Sequence, residues 1–115
     1  MDNIKDRNYF INKVLEYLYE IKLFINNISY EEFENDKMLQ SAICFQYIQA
    51  FEYAKNLNQN EFDKKFENTL IKLRGFRNLI VHEYGKIDTE SVYKTSVNDV
   101  PVFIKDLEEE LKWKY

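Results

Sequence analysis

Apolar side chains recur at helical spacing over most of the chain. Phe10, Ile11, Val14, Leu18, Ile21, Ile25 and Ile28 form one stripe, which predicts a first helix over about residues 4–26. Asn26-Asn27 and Ser29 mark its end. A polar linker to about Asn35 follows, with Tyr30 and Phe33 embedded in it. Asp36 is placed to cap a second helix that runs to about Leu57. Leu39, Ile43, Ala50, Ala54 and Leu57 share one face of that helix, while Met38, Phe45 and Ile48 point elsewhere. A helix apolar on two faces is either central in its bundle or shared with a second subunit. Glu52 continues the second face, as a partly buried and partnered carboxylate or as an exposed rim position.

After a short loop at 56–60, a third helix begins near Glu61 or Phe62. Phe62, Phe66, Thr69, Leu70, Leu73, Phe76 and Ile80 lie on its inner side. Gly75 sits inside it at a cost of roughly 1 kcal/mol relative to alanine, which suits a close approach by a backbone or ligand. Gly85 lies just past its end, where a left-handed cap favours glycine. Asp88 or Thr89 caps a short helix carrying Val92 and Tyr93, between residues 88 and 97. Asn98-Asp99 caps a final helix with Pro101 in its first turn. Val100, Phe103, Ile104, Leu107 and Leu111 form its inner stripe, and Glu108-Glu109-Glu110 faces water. With two glycines and one proline, breakers are scarce. The expected fold is an all-α up-and-down bundle of four main helices plus a short one, in one domain over 1–115.

Composition narrows the function classes. No apolar run is long enough to span a bilayer, and the N-terminus lacks the apolar core of a signal peptide. Cys44 is alone, so an intrachain disulfide or a cysteine metal cage is not available. A cytoplasmic protein is the simplest expectation. The net charge of −4 is unevenly spread. Residues 62–86 hold six bases (Lys64, Lys65, Lys72, Arg74, Arg77, Lys86) against three acids (Asp63, Glu67, Glu83), a window of +3 that leaves −7 for the rest. That window is either a solvated helix face or a phosphate-binding surface.

The same window contains Arg77-Asn78-Leu79-Ile80-Val81-His82-Glu83-Tyr84, with the only histidine of the 115 residues. On an ideal wheel Arg74, Asn78 and His82 fall within about 80° and line one polar edge, whereas Arg77 and His82 stand about 140° apart. For Arg77 and His82 to grip one phosphate, the helix must unwind at His82 or the site must be completed across a dimer axis. Cleaving RNA requires a proton taken from the 2′-OH and one given to the leaving 5′-oxygen. Histidine does either near neutral pH, and a guanidinium stabilises charge on phosphate oxygens. Arg74 and Lys72 are candidate RNA-phosphate contacts. One histidine without clustered carboxylates is a poor metal cage, so no cofactor or metal is expected. The plain alternative is a lone histidine favoured by the dipole at a helix C-terminus.

The Arg77-x4-His82-x-Tyr84 spacing resembles the signature of HEPN ribonuclease toxins, specifically the HepT family of HepT–MNT toxin–antitoxin pairs. Residues 86–93 and Asp99-Val100-Pro101 also resemble that family, and the similarity spans nearly the whole chain in length and helix order. Ala50-Phe51-Glu52-Tyr53-Ala54 departs from a more usual glycine-glutamate pattern, and the linker before the third helix lacks the proline and tryptophan often found there. The resemblance implies a helical HEPN bundle, a homodimer whose motifs converge at a cleft, and a metal-independent endoribonuclease toxin. Arg77 and His82 would be catalytic, with Asn78 orienting phosphate or histidine. It also implies a partner, an MNT nucleotidyltransferase antitoxin that transfers AMP to Tyr84. A different class remains open: a non-catalytic HEPN-type partner or substrate-binding subunit of a nucleotidyltransferase.

Overall fold

The computed structural model describes residues 3–57, 71, 74–75 and 88–113. Helix α1 (Asn3–Ile25) follows the stripe that announces it. Ile11, Val14, Leu18 and Ile21 are fully buried and Ile25 nearly so, while Phe10 and Ile28 pack at the margin. Leu15, off the expected stripe, is buried too. The reason is that α1 packs on both α3 (Lys37–Ala54) and α5 (Val100–Trp113), which need a wider apolar face than one partner would. Asn27, at φ 62°, takes the left-handed turn that ends the helix, a conformation asparagine tolerates.

The stretch expected as a polar linker is partly helical. Helix α2 (Tyr30–Glu34) is set by a capping box: the Glu32 amide donates to Ser29 Oγ at 3.1 Å, and the Ser29 amide to Glu32 Oε1 at 2.9 Å. Gln40 Nε2 donates to the carbonyls of Phe33 and Glu34 at the end of the short helix, at 2.9 and 3.0 Å. Phe33 itself is fully buried in the core. Phe33→Ala is expected to cost roughly 3–5 kcal/mol of stability, read as a lowered midpoint in chemical denaturation.

Asp36 caps α3 as the sequence predicts, accepting from the Leu39 amide at 3.0 Å. The helix stops at Ala54 and not at Leu57, which is buried from the turn that follows. Ile43, Ala50 and Ala54 face the core, and so does Tyr47, outside the expected stripe. Its hydroxyl lies 2.8 Å from Ser96 Oγ, and Ser96 Oγ donates to the Val92 carbonyl. With that proton committed, Tyr47 must be the donor to Ser96, so both buried hydroxyls are satisfied. Burial pushes the Tyr47 phenol well above its usual pKa.

Asp88 caps helix α4 (Thr89–Lys94), accepting from the amides of Glu90 and Ser91. The Ser91 hydroxyl, which donates to Asp88 Oδ2 at 2.9 Å, and then these amide bonds hold its carboxyl below the usual range. The expected fresh helix start at Asn98-Asp99 is not there. A π turn (Thr95–Asp99) joins α4 to α5 without a break, and the Val100 amide donates to the Thr95 carbonyl, five residues back. Proline removes one amide and crowds the carbonyl four residues earlier. The wider π turn shifts the bonding register just before Pro101, so the helix continues through it.

Val100, Phe103, Ile104 and Leu107 are buried as expected, with Leu111 at the edge. The three following glutamates do not simply face water. Glu108 accepts from the Tyr19 hydroxyl, and Glu110 pairs with Arg7, whose side chain is 5% exposed. Burial, helped by Glu108, raises the Tyr19 phenol to about 12. No strand occurs among the described residues, and the architecture is the expected all-α, HEPN-like bundle.

Candidate functional site

Of the residues singled out for chemistry, Arg74 alone falls among those described. It is helical and exposed, as are Ile71 and Gly75. A Cβ built on Gly75 would meet nothing within 4 Å, so none of the described residues needs a glycine there for space. Lys72, Arg77, Asn78, His82 and Tyr84, and with them Gly85, lie outside the described residues.

The structure does show what holds the chain where it leaves the motif. Asp88, four residues after Tyr84, caps α4. Thr89 Oγ1 lies 3.1 Å from the Tyr30 hydroxyl, which donates to Glu34 Oε2 at 3.0 Å. One turn later the Tyr93 hydroxyl donates to the Ile28 carbonyl at 2.7 Å. The Tyr93 ring stands edge-on to Tyr30, with centroids 5.5 Å apart, and leans on Phe33. The end of α1, helix α2 and the start of α4 thus form one joint. Tyr93 is placed on its helix by the sequence alone, but Tyr30 carries no sign of its role, because its partner is 59 residues away.

Two further features bear on chemistry. Cys44 is buried, which pushes its thiol up to about 11. It is therefore a neutral core residue and a poor nucleophile. Along α3, Met38 is 85% exposed and Phe45 53%, with Ile48 half-buried. Among the described residues nothing covers this second apolar face at Met38 and Phe45, whereas Ile48 packs against the core. At its far end the half-buried Glu52 carboxylate pairs with Lys55 at 2.7 Å. Among the described residues no group of three or more His, Cys, Asp and Glu side chains is arranged to hold a metal, and no helix is long and apolar enough to cross a membrane.

Comparison with known proteins places this arrangement. Residues 14–110 match the family model described as Ribonuclease HepT-like. The chain belongs to the HepT-like ribonuclease family. The match contains the whole 77–84 segment, the joint at α2 and α4, and the π turn. Three proteins of Methanocaldococcus jannaschii are similar along their length. “Putative RNase MJ1380” is 31% identical, covering 90% of this chain and 95% of its own. “Putative RNase MJ1216” is 29% identical over 94% of this chain and 89% of its own, and “Putative RNase MJ0127” is 30% identical over the same shares. No solved structure matches this HepT-like chain.

Proposed function

We propose that this HepT-like chain is a metal-independent endoribonuclease, the toxin of a type II toxin–antitoxin system acting in the cytoplasm. The observation that carries it is Arg77-x4-His82-x-Tyr84 inside the matched family region. His82 handles the proton of the attacking 2′-OH or of the departing 5′-oxygen, and Arg77 stabilises the charge gathering on the phosphate. Asn78 orients phosphate or imidazole. Arg74, exposed on its helix, and Lys72 hold flanking phosphates. One histidine cannot accept and donate in a single step. Two chains therefore supply the base and the acid, and strand scission needs a homodimer. Purified chain is expected to cleave RNA in excess chelator and to lose that cleavage on His82→Ala. Equal cleavage by the variant would remove the assignment, and chelator-sensitive cleavage would remove its metal-independence.

The bare face of α3 supports the dimer. A solvent-facing methionine and phenylalanine one heptad apart suit a symmetric partner better than water. Phe45→Glu should convert a dimer into a monomer in sedimentation at micromolar concentration, without loss of helical circular dichroism. A monomeric unmodified chain would refute this interface. Control falls to an MNT nucleotidyltransferase antitoxin that transfers AMP from ATP to Tyr84. The added phosphate charge and bulk then occupy the place of RNA phosphate beside Arg77 and His82.

A further inference from the structure

We propose that two copies of this chain pair through antiparallel α3 helices, on a two-fold axis beside Phe45. The idea rests on the homodimer reading and adds to it the direction and register of the pairing. Helix α3 has 18 residues, and Phe45 stands at its middle. At about 100° per residue, Met38, Ser41, Ala42, Phe45, Gln49 and Glu52 fall within about 60° of one outward line. Ile43, Tyr47, Ala50 and Ala54 point the other way and are buried. On the outward side Met38, Ser41 and Phe45 are exposed, while Ala42, Gln49 and Glu52 are half-buried. Ile48, also half-buried, borders this face.

The order of side-chain sizes along this face sets the direction. One turn before Phe45 stand two small residues, Ser41 and Ala42. One turn after it stand two large ones, Ile48 and Gln49. Parallel helices in register would set small against small and large against large, with a gap on one side of Phe45 and a clash on the other. Antiparallel helices turned about Phe45 set the small pair of each copy against the large pair of the other, so both sides fill. The charges agree. Lys37 and Glu52 lie near opposite ends of α3, and antiparallel pairing brings each to the opposite sign in the other copy. Parallel pairing would oppose like charges. Glu52 already holds Lys55 of its own chain at 2.7 Å, so Lys37 of the second copy extends an existing pair. This reversal of size and charge about one residue is self-complementary, as an isologous interface requires. A second copy satisfies it with no further partner.

Cysteine cross-linking in the full chain reads the register, with a mild oxidant or a short bismaleimide as the probe. Phe45→Cys should close into a covalent dimer, because residues beside a two-fold axis face their own copies. Met38→Cys alone and Glu52→Cys alone should stay unlinked, since antiparallel pairing parts each from its own copy by about 21 Å of helix rise. Combined in one chain, the two should link 38 to 52 between copies and run at twice the chain's mass without reductant. The same separation of about 21 Å forbids a bond within one chain. The double variant keeps Phe45, so it decides the register even where Phe45→Cys loosens the dimer. The unmodified chain, whose Cys44 is buried, is the unlinked control. Self-linking of Met38→Cys would show parallel pairing. A chain that sediments as a dimer yet forms no 38–52 link has its interface elsewhere. Either result overturns the proposal and leaves the homodimer standing. A monomer at micromolar concentration removes the homodimer reading and this one with it.

Discussion

His82→Ala is expected to reduce RNA cleavage by about 10²–10⁴-fold, the usual contribution of a positioned acid or base. Arg77→Ala should cost about 10²–10³-fold, comparable to losing one fixed donor to a developing oxyanion. The two losses have different chemical causes. Alanine at 82 removes the group that moves protons, so raising the pH should recover part of the rate as hydroxide replaces the base. Alanine at 77 removes a permanent charge, which pH does not restore. Because both act on one phosphate in one step, the double variant should be little worse than the weaker single one. Neither change should lower the denaturation midpoint as Phe33→Ala does. Measured on one RNA with matched protein preparations, retention of full activity by either single variant would take that residue out of the mechanism.

Tyr84→Phe is expected to abolish AMP incorporation altogether. The substitution removes one oxygen, the nucleophile on which AMP transfer depends, and leaves the ring. Incubated with the cognate transferase, ATP and Mg²⁺, the unmodified chain should gain AMP in intact mass and lose cleavage together. The Phe variant should gain none and keep its cleavage. AMP uptake by the variant at the original stoichiometry would place the acceptor elsewhere. Neutralisation without uptake would show that the antitoxin works by covering the site. The other eight tyrosines serve as an internal control. Tyr47 among them should stay silent: it is 1% exposed, and its hydroxyl is engaged by Ser96.

The parts of this fold that were legible in the sequence are those governed by local rules. The stripes of α1 and α5 and the caps at Asp36 and Asp88 depend on residues within a few positions of each other. Ser29-x-x-Glu32 was equally local, but the polar residues around it read as a linker, and the embedded Phe33 was the clue that it was folded. Asn98-Asp99 before Pro101 misled for a physical reason. Cap-forming side chains ahead of a proline are what a helix start looks like, and a π turn uses the same proline to stay continuous. Long-range polar contacts left no trace. Nothing periodic marks Glu110 as the residue that pairs with Arg7 across 103 positions. The motif at 77–84 was visible because its spacing is short and fixed. The joint that receives its downstream end was invisible because Tyr30 and Thr89 meet only in three dimensions.

The ion pair between Arg7 and Glu110 has a bearing on how the chain is made. Helix α1 leaves the ribosome first and α5 last among the described helices, yet the two pack together and share this buried contact. At about 5–20 residues per second, the α5-facing side of α1 stays bare for several seconds of synthesis. A nascent chain can build α1, α2 and α3 against one another, but its core cannot close until Phe103, Ile104 and Leu107 emerge. Ribosome-bound fragments that lack α5 are therefore incompletely folded, and ribonuclease activity that depends on the closed bundle begins only once α5 has emerged.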